Sequence, residues 1–212
     1  MNPFSIPEII ILLALHEEKG STKFVASFNL EFAIAGAILA EMKLKKIIEF
    51  EAKKVILKKD NAGDVVIAKA IEMIADKPSI KTVAYWIDKL SPKSNKFKKI
   101  CLQKLCDQGI VKKVESKILG LIPIAYYPLR DPIKKRQIEN TIGEYAMRQD
   151  LSDERINTIL VLLKAVGMSG YVLDKNQKYK IGTQLKEMVK NDLIAKEVKS
   201  AIGRRAAVTG GV

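Results

Sequence analysis

The sequence lacks most of the residue patterns from which enzyme active sites are built. It contains one histidine, His16, which excludes a zinc site of the HExxH kind and leaves any histidine-based triad dependent on this residue. Neither a GxGxxG nor a GxxxxGK(S/T) motif occurs, so no phosphate-cradling loop is evident. We interpret His16 as a structural residue at a buried helix end. We expect a protein that is not an enzyme and that uses no metal and no cofactor.

Long hydrophobic runs and cysteines are also scarce. The uninterrupted apolar run from Ile9 to Leu15 has seven residues, whereas a membrane-spanning helix needs roughly 18 to 20. The N-terminus has no basic segment leading into an apolar one, so we expect no secretion and a cytoplasmic location. Two cysteines, Cys101 and Cys106, are too few for a disulfide framework or a zinc site. We expect both to be reduced and structural.

What the sequence has in excess is positive charge. Its formal net charge is +13. Between Lys93 and Arg136 there are twelve lysines and arginines against three acidic residues, so +9 of this charge lies in that segment. Such an imbalance favours encounters with nucleic acid or with an anionic membrane surface. We therefore expect the functional site within this segment.

The pattern of apolar residues predicts a mainly α-helical fold. With 48% apolar and 29% charged residues the composition is globular, and we expect a single domain over residues 1–202 with a flexible tail at 203–212. Residues 46–60 are rich in Ile, Val and Phe and predict a first short β-hairpin. Residues 170–182 are expected to form a loose ribbon.

A second hairpin is predicted inside the basic segment. We expect one arm at residues 110–114, a turn at Glu115 and Ser116, and a second arm at residues 117–127. The second arm is apolar on both of its faces, at Ile118, Leu119, Leu121, Ile122 and Ile124. A half-solvated hairpin alternates apolar and polar residues instead. This apolar arm must therefore lie under the domain's own helices, or protrude and contact a membrane or a partner chain.

Lysines and an arginine surround this hairpin in the sequence. Lys96, Lys98 and Lys99 begin the preceding helix, and the other cations are on or next to the hairpin: Lys112, Lys113, Lys117 and Arg130. A charge run is usually a solvated face. Beside an apolar hairpin, however, each cation near an anionic leaflet contributes about 1 kcal/mol, and each inserted Leu or Ile roughly 1.5 to 3 kcal/mol. Reversible peripheral membrane binding is the function that this combination favours.

Nucleic-acid binding is the alternative that the sequence leaves open. The segments 82–90, 97–109 and the second hairpin follow the order helix, helix, wing of a winged-helix module. Against this, the second helix offers few side chains that could read bases, with Gln103 and Lys104 as the best candidates. The wing is also apolar where a wing that follows phosphates would be polar. A further alternative is an adaptor that associates with itself through the hairpin.

Several segments of the chain, taken in order, resemble the Golgi phosphoprotein 3 family. These segments are "ILLALHEEKG", "AGAILAEMKLKKII", "AGDVVIAKAIEMI", "TVAYWIDKLS", "LCDQGIVKKVESKILGL" and "YYPLRDP". The resemblance covers roughly residues 8 to 165. It implies a mainly helical domain that docks on the cytosolic face of membranes. It also implies binding of phosphatidylinositol 4-phosphate in a basic pocket, insertion or self-association through the hydrophobic hairpin, and recruitment of the cytoplasmic tails of membrane proteins.

The resemblance can be carried to single positions of this chain. The pocket tryptophan and arginine of the family correspond to Val25 and Ala35, and two further basic positions fall near Asn95 or Lys96 and on Lys98. Trp86 lies on an apolar stripe and is interpreted as a core residue. We expect a prokaryotic-type member of the family. With half of the pocket replaced, we expect it to bind anionic phospholipids less selectively. Lys96, Lys98 and Lys99 are the expected headgroup ligands.

Overall fold

The computed structural model describes residues 4–61, 63–118, 121–148 and 152–209, with the backbone alone at residues 118 and 209. The predicted mainly α fold with two short hairpins is confirmed. The helices are α1 (Ile6–Ala14), α2 (Phe24–Ser27), α3 (Leu30–Leu44), α4 (Val65–Ala75), α5 (Val83–Leu90), α6 (Ser94–Asp107), α7 (Pro132–Arg148), α8 (Glu154–Ala165), α9 (Lys175–Asn191) and α10 (Leu193–Thr209). The strands are β1 (Ile48–Glu51), β2 (Lys54–Leu57), β3 (Val114–Ile118) and β4 (Ile122–Tyr126).

Helices α1 and α3 form the centre of the core. Both are apolar on nearly every face, and a helix of that kind is stable only when other elements surround it. Every residue of α1 is buried, and so is α3 from Phe32 to Met42. At Gly36 a Cβ atom would lie 2.8 Å from a Val198 methyl carbon and 2.9 Å from one of Leu162. The glycine thus lets α8 and α10 pack directly against α3. Trp86 is buried in the same core, as predicted.

A buried ion cluster joins α1, α4 and α6. Lys104 Nζ lies 2.6 Å from Glu8 Oε1 and 2.5 Å from Asp64 Oδ2. Glu8 also accepts a hydrogen bond of 2.6 Å from the Ser5 N–H, as in a capping box. Burial by itself would lower the pKa of Lys104, but its hydrogen bonds to Asp64 and Glu8 raise it above the ordinary value. Lys104 therefore serves the fold as a fixed cation.

The first hairpin is part of this core. Ile48 and Val55 are buried, and β2 is flanked by the segment that enters α5. There the Val55 N–H donates to Lys81 O at 2.8 Å, and the Val83 N–H donates to Lys53 O at 2.9 Å. The hairpin predicted for residues 46–60 is thus confirmed.

The structure departs from the sequence predictions at three places. Residues 170–182 do not form a ribbon, because α9 begins at Lys175 with a capping box between Asp174 and Gln177. The tail expected from residue 203 is helical as far as Thr209, since Arg204 donates to both Asp88 oxygens at 2.8 Å and anchors the end of α10. His16 is exposed rather than buried.

Two further findings concern the cysteines and the length of the helices. Both cysteines are free, and burial raises the pKa of Cys101 to about 12, in line with a structural thiol. Within the described ranges, no helix combines the length and the apolar character that crossing a bilayer requires.

Candidate functional site

The second hairpin has a different register from the predicted one. Strands β3 and β4 pair so that Val114 faces Tyr126 and Ser116 faces Ile124. The turn predicted at Glu115 and Ser116 is therefore wrong, because both residues lie inside β3. The register is already set at the base, where Val111 bridges Leu129. Pairing that continues outward from this bridge reaches Ile118 and Ile122, which face each other.

The tip of this hairpin is apolar and faces solvent. Leu121 is 84% exposed and Ile122 is 60% exposed, whereas Ile124, nearer the base, is partly buried. Leu119 and the side chain of Ile118 lie outside the described residues. For Leu121 and Ile122 the structure decides between the two possibilities raised by the sequence. They are not covered by helices of their own chain.

The base of the hairpin is held by the loop that follows α1. The Tyr127 N–H donates to Gly20 O at 3.0 Å, and the Leu129 N–H donates to Glu17 O at 2.9 Å. Gly20 has a φ of +63°, and a Cβ atom there would lie 2.1 Å from Pro128 N. Any side chain at this position would clash with the hairpin backbone. The direction of the hairpin is therefore fixed by contact between two backbones.

A cleft of about 850 Å³ separates the hairpin from α6. Lysines lie on both of its sides, Lys98 and Lys99 from α6 and Lys113 and Lys117 from the hairpin, together with apolar groups of β4 such as Ile124. The structure thus brings together four of the predicted cations. Lys96, Lys112 and Arg130 are exposed but do not line the cleft.

The four cleft lysines differ in their surroundings. Lys98 is half-buried, which lowers its pKa, and its Nζ donates to the Thr22 hydroxyl at 2.7 Å. Lys113 lies 2.5 Å from Glu115, and this hydrogen bond raises the pKa of Lys113. No carboxylate of the described residues forms an ion pair with Lys98, Lys99 or Lys117. Most of the positive charge of the cleft is therefore available to an anionic ligand.

A comparison with protein families identifies the chain. The family model for Golgi phosphoprotein 3 (GPP34) matches residues 6–204, from the start of α1 almost to the end of α10. The chain belongs to the Golgi phosphoprotein 3 family. The resemblance seen in the sequence is thereby confirmed. A search of curated proteins gave no match.

The positions carried over from the Golgi phosphoprotein 3 family fall in two different environments. Asn95 and Lys98 line the cleft. Val25 is exposed on α2, and Ala35 is fully buried in α3, so the place expected for an arginine offers no charge and no access. The lysines of α6 and of the hairpin are consequently the cations that the cleft can offer.

A group of titratable residues below the hairpin base was missed by the sequence analysis. Lys135 is fully buried and donates to Leu15 O at 2.9 Å, and its Nζ lies 3.4 Å from Glu17 and 3.8 Å from Glu139. Burial, together with the nearby charge of Lys135, lowers the pKa of Lys23 to about 8. Burial also raises the pKa of Glu139. Nothing in "DPIKKRQ" distinguishes Lys135 from Lys134 and Arg136, because only the folded structure buries it.

Proposed function

We propose that this protein is a peripheral membrane protein, without enzymatic activity, that binds anionic phospholipid headgroups in the cleft between α6 and the second hairpin. One observation carries the proposal. The exposed apolar tip, Leu121 and Ile122, belongs to the same hairpin whose lysines face those of α6 across the cleft. A tip in the acyl region would place these cations at the level of the headgroups.

The expected binding is weak enough to be reversible. Transfer of two aliphatic side chains out of water contributes roughly 3 to 6 kcal/mol, and three lysines near an anionic surface add about 3 kcal/mol. Several kcal/mol are lost again because the bound protein has less freedom of motion. The remainder supports exchange between the cytoplasm and a membrane surface. It does not amount to permanent anchoring.

The lysines of the cleft should recognise negatively charged headgroups in general and should not select one particular headgroup. Lysine ammonium groups act as mobile point charges, whereas an arginine fork selects a phosphate by its geometry. Since Ala35 takes the place of the family's arginine, phosphatidylinositol 4-phosphate would be one acceptable anionic lipid among several. We expect phosphatidylglycerol and phosphatidylserine to be bound as well.

Vesicle flotation tests the proposal directly. We expect recovery with vesicles that contain phosphatidylglycerol, little with pure phosphatidylcholine, and weaker binding at high salt. The double variant Lys113→Ala/Lys117→Ala should bind about tenfold more weakly, since two cations near the surface are lost. The matched control is Lys54→Ala/Lys59→Ala, which removes two exposed lysines at the first hairpin. Equal recovery with neutral vesicles, or equal losses in both double variants, would contradict the proposal.

Nucleic-acid binding is less well supported by the geometry. Elements α5, α6 and the second hairpin do follow one another in the order of a winged-helix module. Lys104, however, is held between Glu8 and Asp64 and cannot reach a base. The exposed tip also offers Leu121 and Ile122 where phosphate contacts would be required. Retention on duplex DNA with a salt dependence typical of several released counterions would reverse this ranking.

Self-association and a membrane-protein client stay predictions. Two hairpin tips of this kind could pair with each other in solution, and then the mass of the protein would rise with its concentration. Ile122→Asp should abolish that rise, because it places a charge within the apolar contact. A client would be the cytoplasmic tail of a membrane protein, and the cleft lysines favour a tail that carries acidic residues.

A further inference from the structure

Helix α2 presents a second exposed apolar surface. Phe24, Val25 and Phe28 are 77%, 52% and 55% exposed. The two phenylalanine rings contact each other edge to face, with 4.8 Å between their centroids. Exposed apolar residues that occur singly are ordinary, but three on one short helix form a continuous patch. We refer to these three residues as the α2 patch.

The α2 patch is held firmly by the polar groups around it. The Ala26 N–H donates to the Tyr171 hydroxyl at 3.2 Å, and the Asn29 amide donates to Val166 O at 3.2 Å. From the other side, the Arg205 guanidinium donates to the carbonyl oxygen of Phe28 and, at 2.8 Å, to Asn29 Oδ1. These bonds, together with that of the Lys23 N–H to Ala14 O at 2.8 Å, tie both ends of α2 to the body of the protein. Its exposed rings therefore have a defined position before any partner arrives.

The α2 patch lies close to the cleft along the chain. Thr22, which accepts the hydrogen bond of the cleft residue Lys98, precedes Phe24 by two residues. Two residues of chain span at most about 7 Å. On the other side of Thr22, Gly20 accepts the bond from Tyr127 at the hairpin base. A short stretch of backbone thus connects the hairpin, the cleft lysine and the aromatic pair.

Charge and size indicate what covers the α2 patch. Two lysines that form no ion pair within the described residues adjoin the α2 patch, Lys23 next to Phe24 in the chain and Lys98 at Thr22, so the surroundings attract an anionic surface. A stable protein interface buries roughly 800 Å² on each partner, whereas one aromatic side chain contributes only about 150 to 250 Å². Three side chains are too few for a protein partner of their own. They are enough, however, to enter the interfacial layer of a bilayer to which the protein is already bound through the nearby hairpin and lysines.

We propose that the aromatic pair Phe24 and Phe28 is a second point of contact with the same anionic bilayer that receives the hairpin tip. This inference rests on the proposed function. Two separate apolar contacts would fix the orientation of the protein on the membrane. The hairpin alone would leave it free to rotate about a single point.

The variant Phe24→Trp offers a direct test. Trp86 is the only tryptophan and is 1% exposed, so it supplies a constant background. With phosphatidylglycerol vesicles that carry brominated acyl chains, we expect the emission of Phe24→Trp to shift to shorter wavelength and to be quenched. The wild-type emission should stay unchanged. The variant Tyr179→Trp, at a position of α9 where the tyrosine is 91% exposed, should also stay unquenched and serves as the control.

Affinity gives a second, independent readout. Phe24→Ala/Phe28→Ala should weaken vesicle binding by about 100-fold or more, because two aromatic side chains no longer leave water. The matched control Ile80→Ala/Tyr179→Ala removes two equally exposed apolar side chains elsewhere and should bind like the wild type. All four positions are exposed, and similar unfolding curves will show that the fold is intact.

The outcomes separate the two proposals. If the wild type binds vesicles while Phe24→Trp is unquenched and the double alanine variant binds normally, the aromatic contact is refuted and the proposed function stands. If the wild type binds no anionic vesicle, both proposals fail together. If Phe24→Ala/Phe28→Ala instead changes the mass of the protein without lipid, the α2 patch is a contact between copies of the chain, and the inference is overturned.

Discussion

The two hairpins have the same topology but opposite relations to the core. In the first, Ile48 and Val55 are buried, and the segment 81–83 hydrogen-bonds β2 along its outer edge. In the second, the residues of β3 with described side chains are exposed, and the tip carries Leu121 and Ile122 into solvent. Its backbone is bonded to the rest of the protein at the base, through Gly20 and Glu17. The same secondary structure thus supports the fold in one place and reaches away from it in the other.

This difference shows what apolar residues in a strand can mean. Burial of apolar side chains stabilises a fold only when other residues of the same chain remove them from water. In the first hairpin the core buries the apolar residues, so they contribute to the stability of the protein. At the tip of the second hairpin the apolar residues are not buried, so they can contact a partner outside the chain. Stability and membrane binding should therefore respond to mutations in different hairpins.

Truncation of one apolar side chain in each hairpin is the strongest test of this difference. Ile48→Ala creates a cavity in the core and should lower the free energy of unfolding by about 2 to 4 kcal/mol. Ile122→Ala removes an exposed side chain and should change it by less than about 0.5 kcal/mol. Urea denaturation measures both. A destabilisation by Ile122→Ala as large as that by Ile48→Ala would mean that the tip is packed in solution.

A pH titration tests the base of the second hairpin. Lys23, in the group with Lys135, Glu17 and Glu139, has a pKa of about 8 against an ordinary 10.5. Between these values the unfolded chain binds more protons than the folded one, so the free energy of unfolding should rise with pH. Because Lys23 is partly exposed, we expect a rise of only about 1 kcal/mol.

The measurement compares the wild type with Lys23→Met. Denaturation at about pH 7.5 and about pH 10 should show the rise in the wild type and a smaller one in the variant. Lys54→Met, at the first hairpin, serves as the control and should keep the wild-type response. If Lys23→Met and the wild type gain equally, Lys23 is not the group that titrates.

The smallest expected effect concerns the turn of the first hairpin. Ala52 and Lys53 form this turn with φ values of 46° and 66°, a region that glycine adopts without strain. Lys53→Gly should therefore raise the free energy of unfolding by roughly 0.5 to 1 kcal/mol. Vesicle binding should be unchanged, since the first hairpin packs against the core and is not part of the proposed site. Lys54→Gly, within β2, should instead lower stability; a gain there would show that the turn geometry is not the cause.

Much of the fold could be predicted from the sequence. The mainly α fold and both hairpins follow from the local pattern of apolar residues. The turn of the second hairpin could not be placed, because its register depends on the bridge between Val111 and Leu129, which lie far apart in sequence. Residues 170–182 were misassigned because the cap formed by Asp174 and Gln177 was overlooked. That signal was present in the sequence.

The candidate site was only partly predictable. The basic segment indicated the cations near the hairpin, but only the fold shows that Lys113 and Lys117 line one cleft with Lys98 and Lys99, whereas Lys96 does not line it. The aromatic pair had a local signal, since Phe24 and Phe28 are four residues apart and meet on one helix face. No signal in the sequence indicated that this pair is exposed, because its exposure depends on how the other elements pack around α2.

The contact at Gly20 has a consequence for how this protein can vary. Because backbone atoms hold the base of the hairpin, its direction does not depend on which side chains its tip carries. Residues at the tip can be exchanged, which changes how apolar it is, while the hairpin keeps its direction. Replacement of Gly20 does the reverse: it leaves the residues of the tip intact and changes the direction in which they point.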